Sequence, residues 1–68
     1  MAEATDVWVG ISIVCRYDPK ARTAAEHDRI YVGGWDSHPD KMMSGDRSDM
    51  DKMGWHWDTE FDTWRKFT

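Results

Sequence analysis

The sequence predicts an α+β fold, a small three-stranded antiparallel sheet with one or two short helices. Three observations carry this expectation. The 68 residues contain no leucine, although leucine is among the commonest residues and a leading helix former. The aliphatic bulk comes instead from Val7, Val9, Ile11, Ile13, Val14, Ile30 and Val32, mostly β-branched side chains that suit a pleated surface. Five tryptophans supply the remaining apolar volume, and short polar stretches bearing proline and glycine leave room only for brief helices.

Residues 1–6 are small and polar and are expected to fray. From Val7 to Tyr17 the odd positions read Val7, Val9, Ile11, Ile13, Cys15 and Tyr17, a period of two that predicts the first strand and places Cys15 inward as a small core residue. Asp18-Pro19 ends it, because proline has no N–H for a ladder. Pro19 to Glu26 fits either two helical turns with Ala21, Ala24 and Ala25 inward or an ordered loop. Arg29 to Trp35 reads as the second strand, with Ile30 and Val32 on one face and Gly33-Gly34 ending or bulging it. Pro39 marks a first helical turn after Ser37 or His38, and Ser48-Asp49-Met50-Asp51 resembles a capping box with Gly54 placed to end its helix. Trp55 to Trp57 reads as the third strand. The tail that follows fits a short terminal helix or a turn and a final strand, since Trp57, Phe61 and Trp64 have helical spacing while Trp55, Trp57, Thr59 and Phe61 alternate.

The length allows one domain, residues 1–68, and a domain of this size buries only about 60% of the surface its unfolded chain exposes. Cys15 is the sole cysteine, so no internal disulfide can compensate, and the count is compatible with a reducing cytosol. The tryptophans take that role, each hiding about 150–250 Å² when buried. No run approaches the ~20 apolar residues of a membrane span, and Met1 to Asp6 lacks the basic and apolar regions of a signal peptide. A soluble, monomeric, cytoplasmic protein is expected.

Thirteen acids against nine bases give a formal charge of −4, and the imbalance sits in one block. Residues 36–62 hold Asp36, Asp40, Asp46, Asp49, Asp51, Asp58, Glu60 and Asp62 against Lys41, Arg47 and Lys52. Such a block repels nucleic-acid phosphates and anionic membranes and attracts basic surfaces or cations, which argues against direct nucleic-acid or membrane binding. The blander reading is that the acids keep an aromatic-rich protein soluble, yet scatter would serve that purpose equally well. If extended, Asp58, Glu60 and Asp62 would share one face at about 6.6 Å intervals, close to the about 6.8 Å spanned by two phosphate steps of one DNA strand. Trp35 immediately precedes the block, and Trp55 and Trp57 lie within it. Each is a core residue if buried and an interface anchor if exposed.

Other chemistry is thinly represented. Asp36-Ser37-His38 and His56-Trp57-Asp58 each set a histidine two residues from a carboxylate, but neither His-x3-His nor Cys-x2-Cys spacing occurs, and that spacing marks zinc sites. A calcium loop counted from Asp46 fails, because its sixth position is Asp51 and its twelfth Trp57, where glycine and glutamate are needed. There is no glycine-rich phosphate cradle, and a Cys15 nucleophile would need a base beside it. No catalytic residue, cofactor or metal is therefore assigned.

In size and in its concentrated acid and tryptophan the whole chain resembles the small acidic anti-CRISPR proteins encoded by bacteriophages. The resemblance implies a stoichiometric inhibitor in the host bacterial cell that occupies the lysine- and arginine-lined DNA channel of a CRISPR-Cas effector, a basic nucleic-acid-binding complex. Asp36, Asp40, Asp46, Asp49, Asp51, Asp58, Glu60 and Asp62 would then imitate phosphates, with Trp35, Trp55 or Trp57 as anchors. An antitoxin or immunity-type protein that neutralises a basic toxin would use the same physics. A metal- or small-ligand-binding domain centred on His38, His56 and nearby acids is the alternative of a different class.

Overall fold

A computed structural model describes residues 3–67, and the fold is α+β. In chain order it comprises α1 (Ala4–Tyr17), β1 (Thr23–Ala25), β2 (Arg29–Val32), two 3-10 turns (Trp35–Ser37 and Pro39–Lys41), α2 (Ser44–Lys52), β3 (Trp55–Asp58) and β4 (Thr63–Phe67). The four strands form one antiparallel sheet in the order β1-β2-β4-β3. β4 thus lies between β2 and β3, and the long connection that this insertion requires holds the 3-10 turns and α2.

Directly paired residues share a face of a sheet. The register Val32↔Trp64↔Trp57 and Ile30↔Lys66↔Trp55 therefore puts three tryptophans and two aliphatics on one face. Both helices cover that face. The buried cluster is Ile13, Val14, Val32, Met42, Met50, Trp55 and Trp64, so each covering element contributes at least one apolar side chain to it.

The segment Val7 to Tyr17, expected as a strand, is the body of α1. Its apolar residues satisfy two periods at once, because Gly10, Ile13, Val14 and Tyr17 also recur at helical spacing. Gly10, Ile13 and Val14 are buried, whereas Trp8 and Cys15 are exposed, which corrects the inward placement of Cys15. The β-branched penalty in a helix is only a few tenths of a kcal/mol per residue. A sheet face carrying Trp55, Trp57 and Trp64 needs an apolar cover, and burial worth about 25 cal/mol per Å² outweighs that penalty. The contact is tight: Trp55 lies against Gly10, and its Nε1 donates to the Asp6 carbonyl at 3.0 Å. Residues 4–6, expected to fray, form the first turn of α1; residues 1 and 2 lie outside the described residues.

The stretch Pro19 to Glu26 is a turn followed by β1, an edge strand where two helical turns or an ordered loop were expected. Gly33 ends β2 with φ +87°. A Cβ there would strike Ser37 Oγ and approach Val14 Cγ1 to 2.8 Å. Ser48 does not start a helix, because α2 begins one turn earlier at Ser44; Gly54, with φ +85°, follows its end as expected. The tail resolves into a turn and the final strand β4.

A polar tie joins the helices. The Tyr17 hydroxyl donates to the Asp46 carboxylate and accepts the Met43 N–H at 3.1 Å, and Arg16 Nη1 lies 3.3 Å from Asp46 Oδ1. The hydrogen bond to Asp46 raises the Tyr17 phenol above its ordinary value of 10.0. The folded state therefore holds this proton more tightly than the unfolded chain does. The resulting stability is fully present below pH 10 and is lost as pH rises through the raised value. Tyr17→Phe is expected to cost about 1–2 kcal/mol at neutral pH. Thermal melts from pH 8 to 11 should show an alkaline decline in the native protein that is smaller in the variant; equal declines would exclude Tyr17 as its source.

Candidate partner-binding surface

The two 3-10 turns hold exposed Trp35, Asp36 and Asp40 on a framework fixed from below. Ser37 is fully buried. Its hydroxyl donates to the Gly34 carbonyl at 2.9 Å and accepts the Gly34 N–H at 3.2 Å, closing the first turn. Its own carbonyl accepts the Trp64 indole N–H at 2.7 Å, which pins the turn to the core. His38 caps the second turn: Nδ1 accepts the Asp40 N–H at 3.1 Å, and Pro39 fills the first helical position, where a missing N–H has no consequence.

Ring packing continues this framework outward. Trp64 meets Trp57 edge to face at 5.8 Å between centroids, Trp57 meets His38 at 4.8 Å, and His38 meets Trp35 at 4.8 Å. The series runs from a buried indole to one that is 62% exposed. Beside Trp35 stand Asp36 and Asp40, whose side chains are 73% and 82% exposed. Lys41 Nζ lies 3.8 Å from Asp36 Oδ1 and 5.4 Å from the Trp35 ring centroid. An indole held rigidly at a surface and flanked by carboxylates offers a cation both a π face and a counter-charge.

The other residues of the expected surface divide into two groups. Asp49 and Asp51 are exposed on α2, beside exposed Arg47 and Lys52, and Glu60 and Asp62 are exposed in the β3-β4 turn. Asp46 is half-buried and engaged by Tyr17 and Arg16. Asp58 is buried. Its Oδ1 accepts the N–H groups of Glu60 and Phe61 at 2.8 and 3.1 Å, and its Oδ2 accepts Arg65 Nη1 at 3.1 Å. The carboxylate thus builds the β3-β4 turn. Because that turn reverses the chain, the extended row of Asp58, Glu60 and Asp62 with phosphate-like spacing does not exist. Trp55 is 1% exposed and serves as core, not as an anchor. Trp57 is half-buried, leaving Trp35 as the exposed indole of the three.

His38 and His56 do not converge. His38 packs on Trp57, which faces the core side of the sheet, while His56 is the next residue of β3 and points to the opposite face. Among the described residues, no group of three or more His, Cys, Asp or Glu side chains is disposed to hold a metal ion. No helix of the described residues is long and apolar enough to cross a membrane.

Sequence reasoning missed the sheet face opposite the helices. Tyr31 and Phe61 meet there edge to face at 6.0 Å, and the guanidinium carbons of Arg29 and Arg65 lie 5.7 and 5.2 Å from the Phe67 ring centroid. An open groove of about 380 Å³ runs beside them, lined by Arg22, Ala24, Glu26, Tyr31, Phe61 and Thr63. Alternation in Arg29 to Val32 pointed to this second face, but its partners come from the tail, whose conformation the sequence left open. No protein-family model, curated protein or solved structure matches the chain.

Proposed function

We propose that this protein acts by stoichiometric binding, presenting Trp35, Asp36 and Asp40 to a basic surface of a nucleic-acid-handling complex and so excluding its nucleic acid. The observation that carries this reading is Trp35, exposed at the surface, packed on His38 and accompanied by the exposed carboxylates of Asp36 and Asp40. Trp55 and Trp64 fill the core and Trp57 is half-buried, whereas Trp35, like Trp8 on α1, is left in solvent; of these two exposed indoles Trp35 is the one in the acidic region, and partner contact supplies a reason for its exposure. Asp49, Asp51, Glu60 and Asp62 add a general negative field that steers association with a basic partner. Asp46 and Asp58 are excluded from the contact by their structural roles, and Trp55 by its burial.

The partner class follows from the resemblance to small acidic anti-CRISPR proteins, so a CRISPR-Cas effector is the proposed target and nucleic-acid mimicry the proposed mechanism. The test is capture. Tagged protein is incubated with nuclease-treated bacterial lysate, bound proteins are released by rising salt, and released proteins are identified. A nucleic-acid-handling complex displaced by competing DNA supports the reading. A captured complex indifferent to DNA, or no specific capture, overturns it; a small basic toxin would transfer the same surface to an immunity function.

A further inference from the structure

Lys41 occupies a cation site of its own chain. Its ammonium lies over the Trp35 indole at 5.4 Å from the ring centroid and 3.8 Å from the Asp36 carboxylate, so one side chain satisfies both elements of a cation-binding corner. Both contacts are exposed and weak, because surface ion pairs and solvated cation–π contacts each contribute little. The lysine stem is flexible and its ammonium is strongly hydrated, whereas a guanidinium is planar, more weakly hydrated and able to stack on an indole while donating two parallel hydrogen bonds to a carboxylate. A partner arginine therefore matches this corner better than its present occupant.

We infer that Trp35, Asp36 and Asp40 form a receptor site for an arginine side chain of the partner, and that Lys41 is an internal placeholder which the incoming arginine displaces. The His38 ring packs on Trp35 and its Nδ1 accepts the Asp40 N–H, which ties the Asp40 backbone to the turn that carries the same indole. Trp35 remains 62% exposed with Lys41 in place, so an incoming guanidinium can reach the residue and compete for the position that Lys41 holds. The biological meaning of this site rests on the proposed basic partner, but its chemistry can be measured without one.

The test is fluorescence anisotropy of a labelled octa-arginine peptide at low ionic strength, with three variants. Lys41→Ala is expected to tighten binding about threefold to tenfold, the factor set by one solvated cation–π contact and one surface ion pair. Lys20→Ala makes the same change in net charge outside the acidic block, so its smaller effect measures general electrostatics alone. The excess gain should vanish when Trp35→Ala is combined with Lys41→Ala. All three side chains are exposed, and circular dichroism checks that each variant keeps the fold. Equal tightening by Lys41→Ala and Lys20→Ala, or a gain that persists without Trp35, would overturn the placeholder. Failure of lysate capture leaves the titration result standing, and a titration without Trp35 dependence leaves the partner reading standing, so the two failures are distinguishable.

Discussion

Trp55→Ala is expected to remove about 3–5 kcal/mol, a third or more of the stability of the fold. Trp55 is 1% exposed and belongs to the central cluster, where it touches α1 at Gly10 and donates its indole N–H to the Asp6 carbonyl. Truncating a buried tryptophan to alanine costs about 3–5 kcal/mol, and a domain of this length has a total stability of about 3–10 kcal/mol. No disulfide is available to limit the loss, since Cys15 is the sole cysteine. Urea unfolding should show a cooperative transition for the native protein and a much lower midpoint, or no folded baseline, for the variant. Trp8→Ala, at a position 60% exposed on α1, should stay within about 0.5 kcal/mol of the native protein, as surface substitutions usually do. Comparable losses at the two positions would refute the assignment of α1 as the cover of the sheet.

The second large effect runs against helix propensity. Glycine inside a helix costs about 1 kcal/mol relative to alanine, so Gly10→Ala should stabilise α1 if the position were open. It is closed. A methyl group there would lie inside van der Waals distance of Trp55 Nε1 and 2.6 Å from Cε2. The buried indole cannot swing aside without breaking its hydrogen bond to Asp6. Overpacking costs about 1–3 kcal/mol and the lost hydrogen bond about 1 kcal/mol, so a net destabilisation of about 1–3 kcal/mol remains after the propensity gain. Gly45→Ala in α2 provides the opposite case, because nothing lies within 4 Å of a Cβ there; it should stabilise by about 0.5–1 kcal/mol. Denaturant midpoints that move in opposite directions for the two substitutions would establish the Gly10–Trp55 contact. A stabilising Gly10→Ala would contradict it.

The parts of the fold legible in the sequence were those set by local chemistry. Gly33 ends β2 because its backbone is left-handed, Pro39 opens a 3-10 turn, Gly54 follows α2, and Trp55 to Trp57 alternate as a strand should. The segment Val7 to Tyr17 was misread because period two and period three to four coexist in it, and only the tryptophans of distant β3 and β4 decide which face needs cover. Burial of the acids was hidden for the same reason. Asp46 is engaged by Tyr17, 29 positions away, and nothing near Asp46 announces this. Asp58 gave a fainter signal, since an aspartate opening a short polar turn commonly accepts the backbone N–H groups that follow it. The strand reading of Trp55 to Trp57 already placed both indoles on one face, which favoured core over contact. Trp35 reads as the last residue of the second strand, but β2 ends at Val32 and Trp35 opens a 3-10 turn that leaves its indole exposed.

The central claim is that Trp35, Asp36 and Asp40 make the contact with the partner while Asp46 and Asp58 hold the fold. Comparing capture of the nucleic-acid-handling complex by the native protein and by a variant combining Trp35→Ala, Asp36→Asn and Asp40→Asn tests it most directly. The variant should keep its cooperative unfolding, because all three side chains are exposed, and should lose capture at moderate salt by at least tenfold, since an anchor truncation alone typically costs more than about 1 kcal/mol. Undiminished capture by a folded variant would contradict the claim and move the contact to another face of the molecule.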